Sequence, residues 1–310
     1  MPAEQYFKFM SPVDGLMLDA MKVIPEGEPK AVVQIVHGMC EYKERYREFM
    51  HYLAGLGYLC VIHDHRGHGH SVENPDELGY LYAGGFEGLV EDTHCLTMLI
   101  KEELPEGTPY YMLGHSMGSM VARCYLKKYD TELDKLVLSG SPSKPAGSSM
   151  GGILTALVGK CKGVKAHSAL LDYIAVGSTY EKRYKKEGLP HAWVCSDRNL
   201  VERYNMDKYC NYTFTVNGYD ALIRLTNETY SAKGWEMGKP ELPILFCSGD
   251  GDPCMIGPKQ YGRSIRFLKE RGYYRVRGKL YKDMRHEVLN EPGRRRVYKD
   301  IATFFAECFD

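Results

Sequence analysis

The 310-residue chain offers no net charge, since 40 Lys and Arg are balanced by 40 Asp and Glu. Without a basic excess there is no long-range pull toward nucleic acid or an anionic membrane, and no nucleic-acid partner is expected. No window holds the ~18 consecutive apolar residues that a membrane-crossing helix needs. The opening MPAEQYFKFMSPVDG lacks a basic stretch followed by an apolar run, so no secretory signal is read there. Ten cysteines are present but no C-x-x-C pair. In a chain without an export signal they are expected to be reduced and mostly buried, which points to a cytoplasmic protein. Neither G-x-x-x-x-G-K-[ST] nor a well-placed G-x-G-x-x-G occurs, so no nucleotide cofactor is expected.

The pattern that is present alternates strand and helix. QYFKFM and GLMLDAMKVI are strand-like segments split by Asp14-Gly15, a turn-forming dipeptide. AVVQIVHG, YLCVIHD, YYMLG, KLVLSG, PILFCSGD and RVRGKLYKD read as strands. Helical spacing predicts helices over 43–56, 86–103, after Ser116, near 258–271 and near 292–308. This rhythm predicts a mostly parallel sheet flanked by helices. It breaks between 141 and 240, where SPSKPAGSSMGG is loop-like and the following residues are helical and irregular. The expected organisation is an α/β core of residues 1–140 and 241–310, with a helical cap at 141–240 inserted after the strand at 135–140. Such an insertion would lie over the carboxyl edge of the sheet, where ligands bind in open α/β folds.

Gly114-His115-Ser116-Met117-Gly118 follows one of these strands and opens a helix. A G-x-S-x-G in that setting makes a sharp turn that exposes a serine nucleophile at a strand end. A serine nucleophile needs a base, and the base an orienting carboxylate, here in the chain order Ser, acid, His. Of the histidines downstream, His167 and His191 fall in the insertion, whereas His286 follows the last strand. The preceding strand ends in SGDGDP, offering Asp252 as the preferred acid and Asp250 as the fallback. Two backbone N–H groups should receive the oxyanion, from Met117 after the nucleophile and from Met39 in the loop after AVVQIV.

HGMCEYKERY at 37–46, HDHRGHGHS at 63–71, GHSMGS at 114–119, the G-x-x-D of Gly249 to Asp252 and the His286-Glu287 loop together resemble the monoacylglycerol lipase and lysophospholipase group of serine α/β-hydrolases. The likeness covers roughly 5–140 and 241–308. The insertion matches that group's cap in position and length, and within it TFTVNGY at 213–219 is the one familiar phrase. The resemblance implies the α/β-hydrolase fold, a triad at Ser116, Asp252 and His286, oxyanion donors at Met39 and Met117, and no cofactor or metal. His63, His65, His68 and His70 are rich in imidazole, but the group implies a structural loop there, tied by Arg66 and Asp64.

The expected reaction is hydrolysis of small-molecule or lipid-like carboxylic esters through an acyl-enzyme, with monoacylglycerols or lysophospholipids as leading substrates. A small-ester carboxylesterase, an acyltransferase or iminopeptidase with the same triad, and a non-catalytic ligand-binding protein are the alternatives. The apolar run from Met150 to Val158 could line an acyl pocket or rest transiently on a membrane surface, packing of cap on core being the plainer account.

Overall fold

A strand buried along its whole length needs cover on both faces, and five strands of this chain are buried throughout. They are β3 (Ala31–Val36), β4 (Tyr58–His63), β5 (Tyr110–His115), β6 (Lys135–Ser139) and β7 (Ile244–Gly249). In the computed structural model, which describes residues 2–145, 147 and 151–309, they form the centre of an eight-stranded sheet. Residues 146 and 148–150, part of the expected 141–152 loop and including Met150 of the apolar run, lie outside the described residues. The remaining strands are β1 (Ala3–Met10), β2 (Met17–Ile24) and β8 (Val276–Tyr281), and the order across the sheet is β1-β2-β4-β3-β5-β6-β7-β8. β1 and β2 pair antiparallel, β2 joins β4 antiparallel, and β3 to β8 run parallel. The hairpin and strands expected from the sequence are all present.

Alternate side chains of each buried strand point to opposite faces. Val33 and Ile35 of β3 join a core with α1 (Arg47–Ala54) and α10 (Arg294–Ala306). Val32 and Val36 join one with α2 (Gly85–Glu102), α3 (Met117–Tyr129) and α9 (Pro258–Arg271). The helix expected over 43–56 begins as a 3₁₀ turn, Lys43–Tyr46. There the Lys43 N–H donates to the Asp64 carboxylate at 2.7 Å and its ammonium lies 2.8 Å from both Asp19 and Asp64. A first turn whose N–H is satisfied from outside is free to tighten.

Between β6 and β7 the chain leaves the sheet, as the broken rhythm predicted. It forms α4 (Gly151–Lys162), then α5 (Ala169–Asp172), a π-helical stretch Tyr173–Glu181 and α6 (Lys182–Tyr184) in one run, then α7 (Arg198–Met206) and α8 (Val216–Thr229). TFTVNGY is the anchor of this segment. Thr215 caps α8 by accepting from the Gly218 N–H, and its own hydroxyl and N–H both donate to the Gly79 carbonyl at 3.1 Å. The apolar face of α8, with Val216, Tyr219, Ala221 and Leu225, packs into the same core as α2 and α3. Among the described residues no helix is long and apolar enough to cross a membrane.

Strand order reverses around β3, since the chain goes from β3 to β4 on one side and then crosses back to β5 on the other. Loops leaving β3 and β5 therefore diverge and open a crevice at their carboxyl ends. The loop after β4 underlies this crevice. It is fixed by Arg66, fully buried, whose guanidinium donates to Asp92 at 2.9 and 3.1 Å and to Asp14 at 2.7 Å. Arg66 and Asp64 do tie this loop, each through its own partner rather than to each other. Removing one member of a buried ion pair strands the other charge. Asp92→Ala should lower unfolding free energy by about 3–5 kcal/mol in a urea titration, and a loss under 1 kcal/mol would contradict this account.

Candidate active site

The sharpest backbone feature is the turn from β5 into α3. Ser116 sits at φ +52° and ψ −118°, a conformation L-residues rarely adopt, at a cost of about 1–3 kcal/mol. Glycine at 118 lets the turn close, because a Cβ there would stand 2.0 Å from the Val36 carbonyl oxygen and 2.4 Å from that of His37. The serine is thus pressed against the end of β3. Its N–H continues the sheet ladder by donating to the Ser139 carbonyl at 2.9 Å.

The structure brings together the three residues expected to form a triad. His286 Nε2 lies 2.8 Å from Ser116 Oγ, and its Nδ1 lies 3.0 Å from Asp252 Oδ1. With a carboxylate at Nδ1, that nitrogen carries the proton and Nε2 is left to accept from the serine hydroxyl. Asp252 is fully buried and accepts further bonds from Ser248 Oγ at 2.7 Å and the Cys254 N–H at 2.8 Å. Asp250 is exposed and accepts from the Asp283 N–H instead. What separates the two aspartates is backbone packing. A Cβ at Gly249 would meet the Met284 and Arg285 carbonyl oxygens at 2.1 and 2.3 Å, so the acid loop lies directly on the loop that carries His286. Neither of the other two downstream histidines bonds to Ser116: His167 lies at the bridge to Thr215, and His191, although it lines the cavity described below, is bonded to Asn205.

Burial disfavours an imidazolium at His286, but the Asp252 charge and hydrogen bond outweigh it and hold its pKa well above the ordinary 6.5. Burial likewise pushes the Asp252 carboxyl up, and the opposing pull of His286 with bonds from Ser248 and Cys254 leaves it below the usual value. Around the imidazole stand Trp193 and His115, with ring centroids 5.1 and 4.8 Å away, and Cys254, its sulfur 3.9 Å from Nε2.

Met39 and Met117 line the same cavity as Ser116, and among the described residues neither N–H has a hydrogen-bond partner. Gly38 passes so close that a Cβ there would be 3.0 Å from Ser116 Cβ. This loop is held by His37. Its Nε2 accepts from the His65 N–H at 2.8 Å, which makes Nδ1 the donor to the Gly38 carbonyl, also at 2.8 Å. That bonding requires a neutral ring, and burial does hold the His37 pKa well below 6.5. The histidines after β4 are thus scaffold for the loop. Burial depresses His63 and His68 to about 4, and among the described residues His63, His65, His68 and His70 do not converge on one point. Asp19, Asp64 and His70 do have metal-like spacing, but the Lys43 ammonium stands between the two carboxylates.

Ser116 and His286 open on a cavity of about 900 Å³. Met120, Leu154, Leu171, Ile174, Leu222 and Ile223 give it apolar wall, most of them from the insertion. The lining also carries Glu41, Glu181 and Glu287 with His115 and His191. Glu41 and Glu287 stand within motifs recognised in the sequence, yet nothing local assigned them a role. They meet through Arg45, which lies 242 positions from Glu287 in the chain. Trp193 was missed as well, lying in an insertion without periodic signal.

A family model described as "Serine aminopeptidase, S33" (Hydrolase_4) matches residues 27–293. A monoglyceride lipase of Mus musculus is 33% identical over 247 residues, covering 77% of this chain and 71% of that protein. A monoacylglycerol lipase of Mycolicibacterium smegmatis is 27% identical over 282 residues, covering 90% and 89%. A thermostable carboxyl esterase from Bacillus coagulans, solved with glycerol, superposes with a TM-score of 0.88 at 26% identity over 98% of both chains.

If the Asp252 carboxylate is the main group that raises the His286 pKa against burial, Asp252→Asn leaves only Cys254 to oppose burial. NMR titration of the His286 ring should then show its midpoint moving from above 6.5 to below it. A midpoint that stays put would contradict the assignment.

Proposed function

The chain belongs to the Hydrolase_4 family, within the monoacylglycerol lipase group of serine α/β-hydrolases, and on that premise we propose that Ser116, His286 and Asp252 are its catalytic triad, acting on monoesters of long-chain acids with neutral alcohols. The enzyme is a serine hydrolase of lipid esters. The observation that carries the triad is the unbroken line from Ser116 Oγ through His286 to the buried Asp252, 2.8 and 3.0 Å per link.

Ser116 Oγ attacks the ester carbonyl as His286 Nε2 takes its proton, and Asp252 stabilises the imidazolium that forms. The Met39 and Met117 N–H groups receive the oxyanion, and loss of one such donor typically costs about 2.7–4 kcal/mol. His286 then protonates the leaving alcohol, and water admitted to the same site repeats the sequence on the acyl-enzyme.

The walls of the cavity favour a neutral head group. Among the described residues they carry four carboxylates, Glu41, Asp172, Glu181 and Glu287, and no lysine or arginine. A phosphate ester would be desolvated among acids with no cation to meet it, whereas polyol hydroxyls find acceptors. This favours monoacylglycerols over lysophospholipids, and a length of apolar wall favours a long acyl chain over acetate. We assign 141–240 as a cap. Its Ile153, Leu157, Leu170 and Tyr173 are each more than half exposed, on the same helical elements that give Leu154, Leu171 and Ile174 to the cavity wall, a surface suited to transient contact with a membrane, from which such substrates would enter.

Three outcomes are expected with p-nitrophenyl esters and lipid monoesters. Ser116→Ala should lower kcat by at least about 10³-fold, with wild-type rates highest at medium or long chains. Monoacylglycerol should be cleaved at least about tenfold faster than lysophosphatidate of the same acyl chain, the discrimination that ~1.4 kcal/mol supplies. Because His286 must be neutral to act as base and its pKa is raised, kcat/KM should climb with pH through a midpoint above 6.5. Turnover indifferent to Ser116→Ala would overturn the triad, and equal rates on the two head groups would overturn the neutral-alcohol preference.

A further inference from the structure

We propose that Arg45 is a positioning residue which, through Glu41 and Glu287, fixes the loop donating the Met39 N–H relative to the loop carrying His286. The inference rests on the hydrolase reading above. These two loops leave β3 and β8, between which three strands intervene in the sheet. Catalysis nonetheless requires both to address the same serine to within a fraction of an ångström. Among the described residues no backbone hydrogen bond joins 37–46 to 285–291. The polar link between them is Arg45, whose Nη1 and Nη2 donate to Glu287 Oε1 and Oε2 at 2.6 and 2.7 Å in a two-pronged pair.

Each end of the link reaches a reacting group in one or two residues. Glu287 is bonded to His286 in the chain, its N–H donates to the Val194 carbonyl at 2.8 Å, and Asn290 Nδ2 donates to Oε2 at 2.8 Å. On the other side Arg45 Nη1 also donates to Glu41 Oε2 at 3.1 Å, and Glu41 Oε1 accepts from the Tyr46 hydroxyl at 2.9 Å and from the Gly38 N–H. Gly38 immediately precedes Met39. The guanidinium rests on the Tyr204 ring, 4.9 Å from its centroid, and does not line the cavity. It therefore acts through its neighbours rather than on substrate. One cation shared by two buried carboxylates is a poor stabilising arrangement compared with apolar packing. What it does supply is direction, since a planar guanidinium fixes the carboxylates it binds in both distance and angle. Burial and the neighbouring Glu287 raise Glu41 to about 7 against the pull of Arg45, whereas Glu287, holding the two-pronged pair, is lowered despite its burial.

The experiment compares wild type with Arg45→Lys, Arg45→Met and the triple variant Arg45→Met/Glu41→Gln/Glu287→Gln, in which no carboxylate is stranded. Thermal midpoint, kcat and KM on one p-nitrophenyl ester are measured together with the low-field proton resonance of His286 Nδ1–H. Arg45→Met should lose about 10–100-fold in kcat with KM changed less than about threefold, the scale of an ångström of misplacement, and its low-field resonance should shift or broaden. Arg45→Lys should recover part of kcat. The triple variant should regain thermal stability without regaining kcat. Recovery of kcat in step with stability, or variants that keep wild-type kcat, would overturn the proposal. Should wild-type turnover survive Ser116→Ala, the hydrolase reading fails instead. The resonance then remains as the test, and if it is unchanged in Arg45→Met the positioning role falls too.

Discussion

The contact between the start of α3 and the end of β3 governs everything built above the sheet. Gly118 meets the Val36 and His37 carbonyls with no space for a side chain, and this closeness forces Ser116 into its strained turn. Because the same two residues lead into the loop of Met39, the serine and the neighbouring N–H are set by one packing event. The strain at Ser116 persists because the ladder bond to Ser139 and the buried strands on either side leave it no other conformation. A backbone held this rigidly would have the proposed oxyanion donors aimed before substrate arrives, the condition under which such hydrogen bonds act most strongly.

A second layer of order comes from charge neutrality in the interior. His37, His63, His65 and His68 are buried, and burial depresses the pKa of each, so they stand as neutral rings rather than cations: His37, His65 and His68 hydrogen-bond nearby backbone, and His63 packs against the Phe9 and His65 rings. Three interior cations are closed in by carboxylates, Arg66 by Asp14 and Asp92, Lys43 by Asp19 and Asp64, and Arg45 by Glu41 and Glu287. Each of these clusters ties a loop at the carboxyl end of the sheet to another element. The apolar core holds the strands, and the ion clusters hold the loops that the strands project.

The insertion is bound to this framework unevenly. α8 shares the core of α2 and α3, and the stretch around Trp193 bonds to the base loop through the Trp193 and Val194 carbonyls. α4 and the π-helical run, in contrast, expose Ile153, Leu157 and Tyr173. The wall nearest the chemistry is thus part of the fixed structure, and the exposed apolar groups lie on the outer part of the insertion.

Much of this architecture is written in short-range patterns. β-branched runs of five or six residues are strands because they suit burial on both faces, and the Ser116 turn is legible because its glycines, strand and helix are contiguous. Chain order alone pointed to the loops of Asp252 and His286. The sequence preferred Asp252 to Asp250 without a contact to decide between them; the structure supplies that contact, with His286 Nδ1 3.0 Å from Asp252 and Asp250 turned to the Asp283 N–H. Nor could the sequence show that the first turn of 43–56 tightens under the pull of Asp64, that Trp193 stands over His286, or that Arg45 joins Glu41 to Glu287 across three strands. Periodicity and turn chemistry depend on neighbours along the chain, so the sequence by itself determined the elements and marked Ser116, Asp252 and His286 as the candidates for one site. Distances between groups as far apart in the chain as Arg45 and Glu287, 242 positions, depend on how those elements pack, and only the tertiary structure decided them.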